Sequence, residues 1–485
     1  MLRMKKLLIF SLLSLAVNGL VACSDGEVYQ APEITDTKVL TIGSEYGNAT
    51  SGWNVSGIPD GIYNLEFYTK SSQLNELPYL TASGKTTAIM PSVNTWSKNV
   101  IKGINVSDGT CHIELSNGGN IQIKGLQLVS SEKEFNMVKG GDISLLSYVE
   151  DNGGKYYAAD GQEGDCLEIL KQSGMNLVRL RLYNDPGNPD FYPSNTLPAG
   201  YQNQDDVLRL AKRAKDKGMD ILLTFHYSDY WTNGEDQYKP HEWAELDFDA
   251  LKTAVHDYTA EFLGKMSAQG TVPKYVALGN EIQAGLLYPD GACEDPIKMC
   301  ALLNAGAKAV REILPESKIV IHSTFSEGVN ETTHKWFFGL VRDYGVDYDV
   351  MGISYYPFWT NMSATGFRGW ADRIIKQFDK DILVMETGYS WNQTLPDGSP
   401  GQLSHNGPYA EFSKLGQRDF IVDLSNQIKQ VESGRVLGYV YWDPIFIEVE
   451  GLGWILGEKN YVSNTTLFDF GGKALPVLDA MKYNN

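Results

Sequence analysis

The sequence predicts an α/β fold in which a (β/α)8 TIM barrel follows a small antiparallel β-sandwich. From residue 134 to residue 485, short apolar runs alternate with amphipathic helical patterns, which is the order of elements in a parallel barrel. Residues 24–133 instead contain short alternating runs between turns rich in Gly, Asn and Asp, which is typical of a sandwich. The 485 residues have room for a barrel of about 250 residues and a smaller domain.

The first 23 residues are expected to be a lipoprotein signal peptide. Basic residues precede the apolar stretch Leu7 to Val17, which is too short for an ordinary membrane span. The stretch ends at Leu20-Val21-Ala22-Cys23, so we expect cleavage and acylation at Cys23, with a plain signal peptide as the alternative. The acidic Ser24-Asp25-Gly26-Glu27 resembles the export tags of Bacteroides surface lipoproteins, which predicts a lipid-anchored, surface-exposed protein at the outer membrane.

Residues 24–133 are expected to be either a spacer or a carbohydrate-binding domain. Strands are predicted at 62–68, 99–106, 111–115 and 121–128, where apolar and polar residues alternate between turns. If the domain binds sugar, Trp53 and Trp96 are the candidate platforms. A spacer that holds the enzyme off the membrane is at least as consistent with the sequence.

The barrel strands are predicted from eight short apolar runs after residue 134. They lie at 135–140, 176–181, 220–226, 275–278, 318–322, 349–355, 381–385 and 437–441, with helical patterns at 164–173, 205–217 and 249–266 among the connections. No Gly-x-Gly-x-x-Gly turn and no phosphate loop opens a helix, which argues against a dinucleotide-binding fold.

Polar side chains collect at the carboxyl ends of these strands, where a barrel carries its active site. Glu281 and Glu386 are the only glutamates directly at strand ends, on strands four and seven, which face each other across the barrel mouth. Two carboxylates about 5–5.5 Å apart would make a retaining glycosidase. A metallohydrolase is the alternative, but only His226 and His322 lie at strand ends. The other candidates at strand ends are Asp142, Arg179, Arg181, Ser228, Asp229, Trp231, Asn280, Tyr355, Tyr356, Trp442 and Asp443.

Composition excludes one class of partner and limits the covalent chemistry. A net charge of −19 argues against nucleic-acid binding, which needs a basic surface. Besides Cys23 the chain has four cysteines, which is too sparse for a disulfide scaffold. Cys293 and Cys300 could bridge within a loop, whereas inert free thiols are the alternative.

Seven runs of residues carry a resemblance to a known family. They are 139–144 (KGGDIS), 178–181 (VRLR), 226–231 (HYSDYW), 279–287 (GNEIQAGLL), 353–358 (ISYYPF), 385–387 (MET) and 441–444 (YWDP). Residues 135–485 thereby resemble the endo-β-1,4-galactanases of glycoside hydrolase family 53, within a clan of retaining barrels. Gln283 stands where the family commonly has Arg, and Asp443 where Glu is usual, so subsite strength and chain-length preference are in doubt.

The resemblance implies hydrolysis of β-1,4-galactan, arabinogalactan and galactooligosaccharides without a catalytic cofactor. It implies Glu281 as acid/base and Glu386 as nucleophile. Two alternatives remain: another β-1,4-glycanase of the clan, such as a mannanase or glucanase, or a non-catalytic surface glycan-binding lipoprotein. We expect a monomer that contacts the membrane only through its N-terminal lipid.

Four further residues are given specific roles in this mechanism. Arg179 is expected to favour the charged form of the nucleophile, with a structural ion pair as the alternative. Asn280 is expected to bond the sugar 2-hydroxyl, and Tyr355 to hold Glu386 in line. Trp442 is expected to lie beneath the sugar being cleaved, with a rim position of the core as the alternative. The remaining residues expected to bind substrate are Asp142, His226, Asp229, Trp231 and His322.

The loop from Thr394 to Gly407 is a candidate calcium site. Bacterial relatives hold a structural calcium near this point, between the loops after strands seven and eight. The candidate ligands are Asp397, Ser399, His405 and Asn406. Oxygen ligands suit calcium, but their spacing is irregular and a His ligand is atypical, so a solvated loop is the alternative.

Overall fold

The structure is a computed structural model that describes residues 39–43, 53–71, 77–90, 92–93, 95–117, 121–132, 134–188 and 195–483. The predicted signal peptide with Cys23 and the side chain of Trp53 lie outside the described residues.

The described part of the front domain is a sandwich of two β-sheets. Its strands are β1 (Val39–Gly43), β2 (Trp53–Ser56), β3 (Gly61–Ser71), β4 (Tyr79–Ala82), β5 (Lys85–Ala88), β6 (Ser92–Val93), β7 (Ser97–Val106), β8 (Thr110–Ser116) and β9 (Ile121–Ser131). One sheet has the order β1-β9-β3-β6, with β7 also paired to β3, and the other has the order β2-β8-β4-β5. Leu65 and Ile101 from the first sheet share a core with Leu80 and Ile113 from the second. The sandwich predicted from the alternating pattern is therefore present.

The rest of the described chain alternates strands with helices. The strands are β10 (Val138–Asp142), β11 (Tyr156–Tyr157), β12 (Glu163–Gly164), β13 (Leu177–Leu182), β14 (Asp220–Phe225), β15 (Tyr275–Leu278), β16 (Gly285–Leu286), β17 (Gly291–Ala292), β18 (Lys318–Phe325), β19 (Val350–Tyr355), β20 (Asp381–Thr387) and β21 (Val436–Tyr441). The helices are α1 (Leu146–Asp151), α2 (Cys166–Gln172), α3 (Gln204–Asp216), α4 (Phe248–Gln269), α5 (Pro296–Ile313), α6 (Glu331–Asp343), α7 (Pro357–Thr360), α8 (Ala364–Phe378), α9 (Lys414–Lys429) and α10 (Pro476–Lys482).

Eight parallel strands close into a barrel, which confirms the predicted TIM fold. Their order is β10-β13-β14-β15-β18-β19-β20-β21, and β21 pairs back onto β10. An added Cβ at Gly438 would lie 1.9 Å from the Val138 carbonyl oxygen, so this closing pair needs glycine there.

Burial on both faces explains why strand β15 is continuously apolar. In β15, Tyr275 and Ala277 belong to the core inside the barrel, whereas Val276 and Leu278 pack in the layer beneath the helices. Strands buried on both faces carry apolar residues at successive positions. The fourth strand therefore presents polar groups only where it ends, at Asn280-Glu281.

The front domain packs against the barrel at the amino-terminal end of its strands. Leu77 and Ala88 share a small apolar core with Val422 of α9 and Ala480 of α10. Near the end of α9, the Lys429 ammonium group donates to Thr87 Oγ1 at 2.5 Å. Because barrel helices run opposite to the strands, the end of α9 lies far from the strand carboxyl ends. The domain interface and the predicted active site are therefore at opposite ends of the barrel.

Two further observations concern membrane association and the cysteines. Across the described residues, no helix has the length and apolar character needed to cross a membrane. Within the same residues, Cys111, Cys166, Cys293 and Cys300 are all free, so no bridge joins Cys293 to Cys300 in this structure.

Candidate active site

Two glutamates meet at the carboxyl end of the barrel. Glu386 belongs to β20, and Glu281 follows β15 in the left-handed backbone region, with φ of 52°. A non-glycine residue in this region costs about 1–3 kcal/mol and is held there by its surroundings. One carboxylate oxygen of Glu281, one of Glu386 and a ring nitrogen of His322 all lie within 4.8 Å of one another. The structure therefore brings together the pair that the strand ends predicted.

Arg179 connects the nucleophile candidate to the neighbouring amide. Its Nη1 donates to Glu386 Oε1 at 2.6 Å, and its Nη2 donates to Asn280 Oδ1 at 2.7 Å. The guanidinium is fully buried, so these bonds are sheltered from water. Arg179 fixes both side chains, and Asn280 lies at the wall of the cleft.

A second arginine extends this charge network below the cleft. Arg181 Nη2 donates to Asp443 Oδ1 at 2.8 Å, and Asp142 lies between the two arginines, 3.6 Å from Arg179 and 3.5 Å from Arg181. The other oxygen of Asp443 accepts from the indole N–H of Trp454 at 2.6 Å. Both carboxylate oxygens of Asp443 thus accept hydrogen bonds from protein groups. The sequence analysis did not identify Trp454, because this residue lies in the long connection after β21, where no motif or periodic pattern indicates its position.

The environment of Glu281 favours its protonated form. Burial and the negative charge of Glu386 raise the pKa of Glu281 to about 7. Its backbone N–H donates to His322 Nδ1 at 3.3 Å, and His322 Nε2 bonds Ser354 Oγ at 2.8 Å. Burial and Arg179 hold the pKa of His322 well below its usual value, so the imidazole is neutral.

Glu386 experiences opposing influences on its charge. Burial raises the pKa of Glu386, and the hydrogen-bonded Arg179 opposes that shift by stabilising the carboxylate. Tyr356 also donates its hydroxyl to Glu386 Oε2 at 3.2 Å. Both carboxylate oxygens therefore accept hydrogen bonds, and these bonds fix the orientation of the carboxylate.

An open cleft runs over the glutamate pair. Its volume is about 650 Å³. The segments that follow six successive barrel strands contribute Trp231, Gln283, Trp336, Trp359, Gln402 and Trp442 to its lining. The guanidinium groups of Arg181 and Arg179 lie beneath the cleft, 4.6 Å and 5.4 Å from the ring of Trp442. Trp231 stacks on Trp454 at 4.8 Å, which completes an aromatic wall at one end.

The barrel part of the chain is similar to known proteins. The family model described as glycosyl hydrolase family 53 matches residues 138–481. The chain belongs to glycoside hydrolase family 53. It is 31% identical to the endo-beta-1,4-galactanase of Bacillus subtilis (strain 168), over 72% of this chain and 86% of that protein. It is 30% identical to the arabinogalactan endo-beta-1,4-galactanase of Thermothelomyces thermophilus, over 71% of this chain and 98% of that protein.

A solved structure of a family 53 catalytic domain matches the barrel. The domain from Ignisphaera aggregans is 35% identical, with a TM-score of 0.68, and the match covers 73% of this chain and 97% of that domain. The sequence-based prediction of the family is confirmed, and the protein is a glycoside hydrolase.

Within this family 53 site, the role predicted for Tyr355 is wrong. Its hydroxyl donates to the Met362 carbonyl at 2.8 Å, and its ring packs on Phe367 in the helix layer. Tyr356 is the residue that bonds Glu386. Successive residues of a strand point to opposite faces. Tyr356 therefore faces the barrel mouth, whereas Tyr355, one position earlier, faces the helix layer.

Three residues predicted to bind substrate instead support other parts of the site, and none of them lines the cleft. Asp142 is fully buried and accepts from Ser144 Oγ at 2.6 Å, below the two arginines. His322 bonds the backbone of Glu281 and the side chain of Ser354, as described above. The oxygens of Asp229 accept from the backbone N–H groups of Asp185 at 2.9 Å and His241 at 2.7 Å. Strand-end position identified these residues but could not show which way each side chain turns.

His226 also lies behind the cleft lining. Its Nδ1 bonds Thr232 Oγ1 at 2.5 Å, and its ring lies 4.3 Å from that of Tyr183. Thr232 lines the cleft. The buried imidazole therefore fixes the wall, whereas Trp231, Asn280 and Trp442 are the predicted substrate residues that reach the cleft itself.

A lysine from the connection after β21 bonds two residues of the loop proposed for calcium. Lys459 Nζ lies 3.0 Å from Asp397 Oδ2 and also donates to Ser399 Oγ. Asn406 uses its side chain on the backbone of Ser390, accepting at 2.9 Å and donating at 2.9 Å. The ring of His405 lies 4.3 Å from that of Phe358, in a tilted arrangement. These contacts do not fit a calcium ligand set, because a positive side chain already bonds Asp397 and Ser399.

The metallohydrolase alternative is also disfavoured by the contacts of His322. Of the described residues, only Glu281, His322 and Glu386 form a cluster with metal-ligand geometry. His322 Nδ1 accepts the Glu281 N–H, and Nε2 is then the protonated nitrogen, which donates to Ser354. With both ring nitrogens engaged, His322 has no free lone pair for a metal.

Proposed function

We propose that this protein is a retaining endo-β-1,4-galactanase that cleaves galactan and type I arabinogalactan. The observation that supports it most is the close, unequal pair of carboxyl groups, Glu281 and Glu386, in an open cleft. Relatives of about 30% identity that are named galactanases favour galactan over mannan or glucan as substrate.

The separation of the two carboxyl groups favours retention of configuration. Their nearest oxygens lie within 4.8 Å. Retaining enzymes hold the two carboxyl groups about 5–5.5 Å apart, whereas inverting enzymes need about 6.5–9.5 Å to admit a water. The short distance leaves no place for water between nucleophile and sugar, which supports direct attack by Glu386.

The proposed reaction has two steps. Glu386 attacks the anomeric carbon and forms an ester bond to it, while the glycosidic C–O bond breaks and Glu281 gives its proton to the departing oxygen. Water then gives a proton to Glu281 and its hydroxide to the anomeric carbon, which releases Glu386. Arg179 stabilises the Glu386 carboxylate before attack and after release.

The same arrangement separates the two roles. Arg179 forms an ion pair with Glu386, which stabilises the Glu386 carboxylate. Burial and the neighbouring carboxylate raise the pKa of Glu281 to about 7. A substantial fraction of Glu281 therefore keeps its proton near neutral pH, and the protonated form that a general acid requires predominates below pH 7. An open cleft rather than a closed pocket favours cleavage within a polymer.

The test is product analysis on purified β-1,4-galactan, with mannan and cellulose as controls. We expect galactooligosaccharides from galactan only, first released as the β-anomer when followed by proton NMR. Faster cleavage of mannan or cellulose would assign another β-1,4-glycanase, and no cleavage of any polymer would favour a glycan-binding protein.

We further propose that the protein is a monomeric, surface-exposed lipoprotein of the outer membrane, anchored through Cys23. The proposal rests on the basic and apolar signal segment and on the small residues before Cys23. Replacing Cys23 with Ala should move the protein from the membrane fraction to the soluble fraction, because acylation supplies the membrane affinity. Retention of the variant in the membrane would contradict the proposal.

A further inference from the structure

Trp336 is an exposed tryptophan that the mechanism does not use. It lies on the second turn of α6, and its side chain is 46% exposed. Large aromatic side chains normally bury most of their surface, so an exposed indole in a cleft points to a binding role. Trp336 lines the same cleft as Glu281 and Glu386.

The helix that carries Trp336 does not need this residue for packing. The buried residues of α6 are His334, Phe337, Phe338 and Val341, which form its inner face. His334 Nε2 donates to the Thr324 carbonyl at 2.8 Å, and its ring packs edge-on against Phe325 at 4.8 Å. These contacts fix α6 to the end of β18, so the backbone that carries Trp336 is held in place relative to the site.

The position of α6 places Trp336 on the side of the departing sugar. β18 is the neighbour of β15, the strand that carries Glu281. Trp442, at the other side of the pair, lies over the arginine that holds the nucleophile. In the proposed mechanism Glu386 attacks a sugar on the Trp442 side, and Glu281 must contact the bond to the departing sugar. The cleft beyond Glu281 therefore takes the leaving part of the chain.

The cleft continues along the start of α6 toward Trp336. Val329 and Thr333 line it between the end of β18 and the indole. Neither side chain is charged, and nearly half of the Trp336 side chain remains exposed. Flat apolar faces of sugars stack on aromatic rings, and galactose offers such a face.

We propose that Trp336 is a stacking platform for a galactose residue on the leaving-group side, beyond the residue next to the cleavage point. This inference rests on the proposed galactanase function. Binding there selects polymer and long oligosaccharides over short substrates, because only a long leaving group reaches α6.

The experiment compares Trp336→Ala with Tyr344→Ala on two substrates. Tyr344 caps the carboxyl end of the same helix and is 44% exposed, but it does not line the cleft. The substrates are β-1,4-galactan and an aryl β-galactobioside, whose leaving group carries no sugar. We expect Trp336→Ala to lower kcat/KM on galactan by about tenfold, mainly through KM, as loss of one stacking contact would do.

The controls separate binding from folding. Trp336→Ala should stay within about twofold of the wild type on the aryl substrate, and Tyr344→Ala should match the wild type on both substrates. Trp336→Tyr, which keeps a flat ring, should recover most of the activity on galactan. Unchanged activity of Trp336→Ala on galactan, or an equal loss on both substrates, would overturn the inference alone. A wild-type protein inactive on galactan would overturn the proposed function as well.

Discussion

At the residue scale, the two glutamates at the barrel mouth differ in what surrounds them. Arg179 and Tyr356 donate hydrogen bonds to Glu386. Burial and the negative charge of Glu386 instead raise the pKa of Glu281 to about 7, so Glu281 binds a proton more readily than a free glutamate. The difference between the roles therefore comes from neighbouring groups, since both residues are glutamates at strand ends. Three predictions follow from this asymmetry.

Replacing each glutamate with Gln should have different consequences. Glu386→Gln removes the covalent step, so we expect no turnover of any substrate above background. Glu281→Gln should lower kcat on galactan by about 10²–10⁴-fold, the usual contribution of a general acid. It should spare bond cleavage in aryl galactobiosides with good leaving groups, which need no proton. Equal loss by both variants on such a substrate would reverse or refute the role assignment.

The pH profile should report the proton on Glu281. Its pKa is raised to about 7, so the acid form predominates below that pH and is lost as the pH rises through it. We expect kcat/KM on galactan to fall tenfold per pH unit well above pH 7. Glu281→Gln should lack this alkaline limb. A wild-type profile that stays flat to pH 9 would show that another group supplies the proton.

Adjacent tyrosines provide a matched pair of variants. Tyr356→Phe removes a hydrogen bond to a charged carboxylate, worth about 1.5–3 kcal/mol, so kcat on galactan should fall by about 10–100-fold. Tyr355→Phe removes only a bond to the Met362 carbonyl and should leave kcat near that of the wild type. Steady-state kinetics on galactan distinguishes the two, and the opposite ranking would contradict the geometry.

At the element scale, the loops after β20 and β21 are joined by side chains of the protein. Lys459, from the connection after β21, bonds Asp397 and Ser399 of the loop after β20. Asn464 Nδ2 adds a bond to the Asn392 carbonyl at 2.8 Å. Gln402, in the first of these loops, lines the cleft. The loop that shapes one cleft wall is therefore held without a metal ligand set.

Chelation should consequently leave the protein unchanged. We expect EDTA to alter neither the melting temperature nor kcat/KM on galactan. The reason is that the positive charge beside Asp397 and Ser399 is supplied by Lys459. Lys459→Met should change the melting temperature little, because the ion pair with Asp397 is exposed to solvent. A drop of several degrees in the melting temperature with EDTA, reversed by calcium, would restore the calcium interpretation.

At the scale of the whole molecule, the front domain sits at the closed end of the barrel. Its contacts involve the ends of α9 and α10, far from the cleft mouth. The candidate sugar platform Trp96 has the ammonium groups of Lys124 and Lys70 at 4.1 Å and 5.5 Å from its ring. A ring covered by lysines is less available to sugar, which favours the spacer over the binding domain.

Removing the front domain should therefore affect stability more than chemistry. A barrel beginning at residue 134 would expose Val422 and Ala480, so we expect a lower melting temperature. Its kcat on short galactooligosaccharides should match that of the full protein at temperatures where both are folded. Titration of the isolated front domain with galactan should give no heat of binding. Micromolar binding would reject the spacer, and an equal melting temperature would show that the interface contributes little.

The sequence by itself determined the fold class, the family and which two glutamates meet at the carboxyl end of the barrel. Eight apolar runs ending in polar residues define a parallel barrel, because strands buried on both faces can expose polar groups only at their ends. Glu281 and Glu386 could be singled out because they alone were glutamates at such ends.

Only the tertiary structure decided which strand-end residues reach the cleft. Tyr355 and Tyr356 are neighbours in sequence yet serve different layers, and Asp142, Asp229 and His322 turn toward protein partners. Trp454 and Lys459 come from a long connection without a periodic pattern, so their contacts with Asp443 and Asp397 could not be predicted. The physical reason is that chain position fixes where a Cα lies in a barrel, whereas side-chain direction depends on hydrogen-bond partners from distant strands and loops.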